Sequence, residues 1–251
     1  MSKKNARKNR EFLKDSNRLR IDFSLTDQNR GVKPPPLQKP FSSDQELIPL
    51  PGKHEWQSIG KTEMVHAMEQ RRSRRVYKQM PLKQDELAFL LWSTQGIQKI
   101  IDENHAYRTV PSAGCRHALE TYLAVMNVES LNSGIYRYLP MEHSLVLERN
   151  DSNLSHKITD ASLGQRFAGM SAVVFIWTSI PYRMEWRYDE AAHRVIAMDA
   201  GHVCQNLYLA CEAVGAGTCA MAAYHQEKMD RLIGVDGEDE FTVYLAPVGK
   251  I

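Results

Sequence analysis

The sequence predicts an α+β fold: a central, mostly antiparallel sheet flanked by helices, one of them long and buried. Three observations carry that prediction. Residues 134–140 (GIYRYLP) and 144–150 (SLVLERN) flank a turn around Met141-Glu142-His143 and read as paired strands. Residues 171–180 (SAVVFIWTSI) form an apolar, β-branched run suited to a central strand buried on both faces. Residues 190–214 carry Val195, Ile196, Val203, Leu207 and Ala210 at helical spacing, with apolar residues spread around most of the cylinder. Helices and strands do not alternate regularly, which argues against a doubly wound sheet.

The elements follow in order. Residues 1–20 set Lys3, Lys4, Arg7, Lys8, Arg10, Lys14, Arg18 and Arg20 against Glu11 and Asp15, the pattern of a solvated basic arm. Pro34, Pro35, Pro36, Pro40, Pro49 and Pro51 then fix an extended course. Residues 1–55 are therefore read as a basic, Pro-rich N-terminal arm able to wrap a partner subunit, and 56–251 as the folded domain. Thr62 is the expected N-cap of a short helix (EMVHAMEQ) whose apolar stripe is Met64, Val65 and Met68. A second helix spans 84–95, with Leu87, Leu90 and Leu91 on one face and Gly96 as its stop. Strands follow at 119–128, 134–140, 144–150 and 171–180. The long helix stops at Gly215, and a short helix (226–234) precedes a last strand (240–249).

Composition excludes several classes. Thirty-two basic against thirty acidic residues leave a net charge of +2, too little for a surface built throughout for nucleic acid. Cys115, Cys204, Cys211 and Cys219 show no CxxC or Cys/His spacing and read as free buried thiols. His193 and His202 stand nine apart without a carboxylate pattern, so no metal site is expected. No apolar run suits a signal or a membrane span, so the expected location is cytoplasmic.

Two phosphate signatures fail. Gly60-Lys61-Thr62 lacks the earlier loop glycine, because position 55 is Glu. Gly215-Ala216-Gly217 follows a long helix and reads as its stop. A third stretch, 69–77 (EQRRSRRVY), crowds four arginines round Ser73 on what reads as the last turn of a helix. Guanidinium forks match phosphate oxygens, and their mutual repulsion calls for an anion. A solvated helix end accounts for the same residues equally well. Pro111-Ser112-Ala113-Gly114 adds a small-residue turn that lets a flat ligand approach the backbone.

Taken together, 71–77 (RRSRRVY), 84–92 (QDELAFLLW), 110–125, 133–147 and 198–219 resemble the flavin-dependent nitroreductase superfamily. The resemblance is greatest to its SagB-type branch, the azoline dehydrogenases of thiazole- and oxazole-containing peptide pathways. It implies a homodimer holding FMN between subunits, with the long helix at the dimer interface. By position, Arg71, Arg72, Ser73 and Arg75 would hold the phosphate, ribityl chain and pyrimidine edge. Pro111, Ser112, Ala113 and Gly114 would touch the flavin from the neighbouring subunit. Ala220, Met221, Ala222 and Ala223 would face the reactive edge, although relatives usually carry glycine at Ala222 or Ala223. Lys250 is similar to a late basic residue near the phosphate. Arg187-Tyr188 stands where the peptide branch has a Lys-Tyr pair; arginine is a poor base, which leaves Tyr188 as the candidate catalytic side chain. His202 and Gln205 are expected as buried polar partners at the dimer seam, and the four tryptophans as core or interface anchors.

The implied activity is an FMN-dependent ping-pong hydride transfer from NAD(P)H or another donor to an organic acceptor. The alternatives are azoline oxidation on a peptide, or a non-catalytic flavin- or nucleic-acid-binding protein.

Overall fold

The computed structural model describes residues 10–251. Lys3, Lys4, Arg7 and Lys8 of the basic block lie outside the described residues. Among the described residues nine strands form: β1 (Leu47–Pro49), β2 (Ile97–Asp102), β3 (His105–Arg108), β4 (Leu119–Val125), β5 (Gly134–Leu139), β6 (Ser144–Asn150), β7 (Val173–Ser179), β8 (Ala216–Thr218) and β9 (Phe241–Lys250). Seven join one sheet in the order β1-β6-β5-β4-β7-β9-β8, every neighbour antiparallel, while β2 and β3 make a separate hairpin. The helices are α1 (Met64–Gln70), α2 (Gln84–Gln95), α3 (Leu154–Ala161), α4 (Arg166–Gly169), α5 (Tyr182–Tyr188), α6 (Ala192–Ala213) and α7 (Gln226–Ile233). The architecture is α+β.

The strand period sorts side chains to two cores. Val173, Phe175 and Trp177 of β7 pack with Leu87, Leu90 and Leu91 of α2 and Leu207 of α6. Val174 and Ile176 face the other way, against Leu154 and Ile158 of α3 and Met229 and Ile233 of α7. Burial on both faces is what the apolar run at 171–180 requires.

Helix α2 begins and ends where its residues dictate. Glu86 accepts the Lys83 backbone N–H at 3.0 Å, closing the N-terminus with a carboxylate on the favourable end of the dipole. Gly96 follows because a Cβ there would lie 2.2 Å from the Trp92 ring.

Several expectations are corrected. Glu63, not Thr62, precedes α1, and it makes no side-chain cap bond. Met64, Val65 and Met68 are 61%, 67% and 59% exposed, so the apolar stripe of α1 points outward and only Ala67 is buried. Helix α6 buries one face and leaves Ala197, Met198, Gly201, His202 and Gln205 open; His202 and Gln205 are exposed in the single chain.

Residues 10–55 pack on their own chain. Strand β1 pairs with β6, and Leu37 and Leu50 are buried. Proline offers no N–H, so the carbonyls of this segment are gripped by side chains instead. Arg108 Nη2 donates to Leu37 O at 2.6 Å, and Arg137 donates to Lys39 O and Pro40 O at 2.8 and 3.1 Å. Lys39 answers with its ammonium on Glu240 at 2.5 Å and its N–H on Glu120 at 2.7 Å. Trp186 donates its indole N–H to Val32 O at 2.9 Å.

Candidate active site

The arginine-rich stretch is not helical. Helix α1 ends at Gln70, and Ser73 forms a parallel bridge with Thr218 of β8, so Arg71–Arg75 extend the sheet edge. Arg74 N–H donates to Thr218 O at 2.9 Å, which fixes the register. Among the described residues no carboxylate lies within ion-pair distance of Arg71, Arg72, Arg74 or Arg75. The Arg71 guanidinium lies 5.3 Å from the Tyr208 ring centroid, and that of Arg75 5.8 Å from the Phe167 ring. The Nε of Arg74 is buried with no hydrogen-bond partner. Gly217 makes room for that side chain: a Cβ at 217 would lie 2.6 Å from Arg74 Cγ.

Tyr208 of α6 links two expected pieces of the site. Its hydroxyl lies 3.0 Å from Ser73 Oγ and accepts the Ala220 N–H at 2.8 Å. Met221 is buried, in a bridge to Leu245, while Ala222 and Ala223 are exposed. Beside Ala222 runs a groove of about 570 Å³ whose walls include Phe12, Pro181, Ile196, Gly201 and Tyr244.

Pro111–Gly114 lies elsewhere. The Ala113 N–H donates to Asp199 Oδ2 at 3.3 Å, and burial raises the Asp199 carboxyl pKa against the hydrogen bonds from Ser112 and Ala113. Asp199 and Tyr208 are nine residues apart on α6, two and a half turns, which puts them on opposite faces. The turn and the arginine edge therefore flank the helix from two sides. Tyr188 belongs with the turn: a Cβ at Gly114 would lie 2.6 Å from its hydroxyl, and Arg187 crosses its ring at 5.5 Å. Gly114, Cys115 and His117 all have positive φ (58°, 58° and 47°), a strained run at a cost of order 1 kcal/mol for each non-glycine residue.

Lys250 is withdrawn from the site. Its ammonium donates to Glu86 Oε1 at 2.7 Å and to Val214 O at 2.5 Å, with 16% of the side chain exposed. Glu86 is 3% exposed and needs that partner, so Lys250 is an internal strut.

Tyr208 and Asp199 were missed by sequence reasoning. Both sit on a helix whose polar residues look incidental until the segments that they hold are folded against it. No helix among the described residues is long and apolar enough to cross a membrane.

The sequence matches the family model described as "Nitroreductase family" over residues 68–250. It is 32% identical over 180 residues to a Methanocaldococcus jannaschii protein named "Putative nitroreductase MJ1384", covering 72% of this chain and 87% of that one. It is 30% identical over 115 residues to the trifolitoxin-processing protein TfxB of Rhizobium leguminosarum bv. trifolii, covering 44% of this chain and 31% of TfxB, so it spans about a third of that relative. A crystal structure of a candidate nitroreductase from Ralstonia eutropha superposes with a TM-score of 0.63 at 22% identity, covering 86% of this chain and 97% of the other.

Proposed function

The chain belongs to the nitroreductase family of oxidoreductases, and from that premise we propose that it is an FMN-dependent enzyme acting as a homodimer. The observation that carries this reading is the arginine edge: Arg71, Arg72 and Arg75, none with a carboxylate partner among the described residues, beside Ser73 and Tyr208. A phosphate monoester satisfies that donor set, and Arg71, Arg72, Ser73 and Arg75 would hold it. The tie from Tyr208 to the Ala220 N–H sets Ala220–Ala223 next to the same edge, where the ring would lie. When bound, the flavin supplies a two-electron carrier that takes reducing equivalents from a reduced nicotinamide and yields them to an organic acceptor in a separate half-reaction. The chain's own task is to hold the phosphate, exclude water and offer the groove beside Ala222 to the acceptor.

The split arrangement supports the dimer. Pro111–Gly114 and Tyr188 are on the wrong side of α6 to meet the arginine edge of their own chain, and a second copy would bring them there. The exposed Met64, Val65, Met68 and Met198 give the two copies an apolar face, which fits a symmetric contact.

An absorbance spectrum of the purified protein tests the cofactor. Flavin bands near roughly 370 and 450 nm are expected; a colourless protein that rejects added FMN overturns the reading. Anaerobic bleaching by NADH against NADPH then identifies the donor. A second reading, dehydrogenation of a peptide substrate, is favoured by the likeness to the trifolitoxin-processing protein. Reduction of the bound flavin by an azoline-bearing peptide, without nicotinamide, would select it. A flavin-free protein binding nucleic acid with steep salt dependence would instead sustain the non-catalytic alternative.

A further inference from the structure

The geometry points to a second ligand site: a carboxylate-binding hollow between the β2–β3 hairpin and the Pro111–Gly114 turn. The hollow measures about 390 Å³, and its lining includes Gln98, Tyr107, Arg108, Ser112, Cys115 and His117, with no acidic residue. Arg108 is 6% exposed, yet its partners are neutral: Gln95 Oε1 at 2.9 Å and Leu37 O at 2.6 Å, with Nε unpartnered. Arg116 and Arg183, 3% and 1% exposed, lie close by. Arg183 pairs with Glu120 at 2.6 Å. Arg116 stacks on Trp186 at 4.7 Å and donates to the Arg183 carbonyl at 3.2 Å.

Among the described residues, only Arg183 of these three buried guanidinium groups is paired with a carboxylate. Neighbouring acids already have partners: Glu148 with Arg137, Glu240 with Lys39, Asp102 with His105, and Asp199, against the turn itself, with Ser112 and the Ala113 N–H. Uncompensated buried charge costs several kcal/mol, and an anion in the hollow offsets it. The field shows in His117, whose pKa falls to about 3 through burial and then through Arg108, Arg116 and Arg183. Its ring stays neutral and adds no cation of its own. A monoanionic carboxylate is the better match than a phosphate dianion. Arg108 already gives two of its forks away, and only the Gln98 amide and Tyr107 hydroxyl on the exposed rim can add donors. Resting on the proposed function, where this turn faces the partner's cofactor, the hollow would hold the acidic end of a substrate.

Cys115 reports on the site, because it lines the hollow and is half-buried while Cys204, Cys211 and Cys219 are buried. Iodoacetate and iodoacetamide alkylate the same thiolate with loss of iodide and differ mainly in the carboxylate. At low salt the rate ratio of iodoacetate to iodoacetamide at Cys115 should exceed that of a neutral cysteine derivative by about tenfold. Benzoate should slow both reagents, and inorganic phosphate at equal ionic strength should not. Gln98→Glu, on the exposed hairpin, should return the ratio to the free-thiol value in a protein that unfolds at the wild-type urea midpoint. A wild-type ratio equal to that of the free thiol, a ratio unchanged by Gln98→Glu, or equal protection by phosphate would overturn the assignment. The labelling needs no flavin: a colourless protein with the high ratio keeps this site while losing the flavin reading, and a yellow protein with the free-thiol ratio does the reverse.

Discussion

Two groups of arginines in this molecule differ in sequence spacing, burial and acidic partners. Arg71, Arg72, Arg74 and Arg75 stand together in sequence along a sheet edge, near aromatic rings and hydroxyls and without acidic partners. Arg108, Arg116, Arg137 and Arg183 are scattered in sequence, all at least 94% buried, and they grip carbonyls or pair with Glu120 and Glu148. Arg137 and Arg183 are tied to the fold by carboxylates, whereas the edge set has no such tie among the described residues and is the proposed cofactor contact. Density of charge in the sequence did not distinguish those roles; solvent and partner did.

The sharpest break of that contrast is Arg183→Met. It strands Glu120 in the core, and a loss of about 3–5 kcal/mol is expected by urea unfolding, much of it recovered when Glu120→Gln is added. Lys250→Met should cost a comparable amount through Glu86. If it instead sheds flavin at unchanged stability, Lys250 belongs with the edge set after all.

Acid should separate the two groups next. The His117 pKa is about 3 in the folded protein against 6.5 for the free side chain, so between those values the unfolded chain binds a proton that the folded one does not. Stability therefore falls as pH drops from 6.5 towards 3, by up to about 1.4 kcal/mol per unit, or about 2 kcal/mol at pH 5. His117→Gln should flatten that slope, whereas Arg75→Ala should leave it intact.

Arg75→Ala should lose about tenfold to a hundredfold in flavin affinity while unfolding within about 0.5 kcal/mol of wild type. Unfolding without loss of affinity would place Arg75 with the structural set. The smallest effect belongs to Tyr208→Phe, which removes the acceptor of the Ala220 N–H. About 1 kcal/mol of stability and a several-fold weaker flavin titration are expected.

How much of this was legible follows the range of the forces involved. Helix α2 came out at its observed bounds because Leu spacing and Gly96 are local signals. The β5–β6 hairpin came out to within one residue, Pro140 lying past the strand, because alternation and turn agree. The β2–β3 hairpin was missed, since register shifts between Ile97 and Lys99 and between Ile100 and Asp102 break the two-residue period. Helix α1 was found but faced the wrong way: seven residues are too few for periodicity to outvote tertiary packing. Segments 71–75 and 111–114 became candidates because each is contiguous in sequence. Lys250 was misassigned because its partner lies 164 residues away.

The grip on the proline-rich segment has a kinetic consequence. Lys39 is held by Glu120 and Glu240, and the latter is 201 residues downstream. Residues made early in synthesis must therefore wait until the chain is nearly complete before they can be locked down. Docking of this stretch should be among the last steps of folding, slowed by the loop that has to close around it.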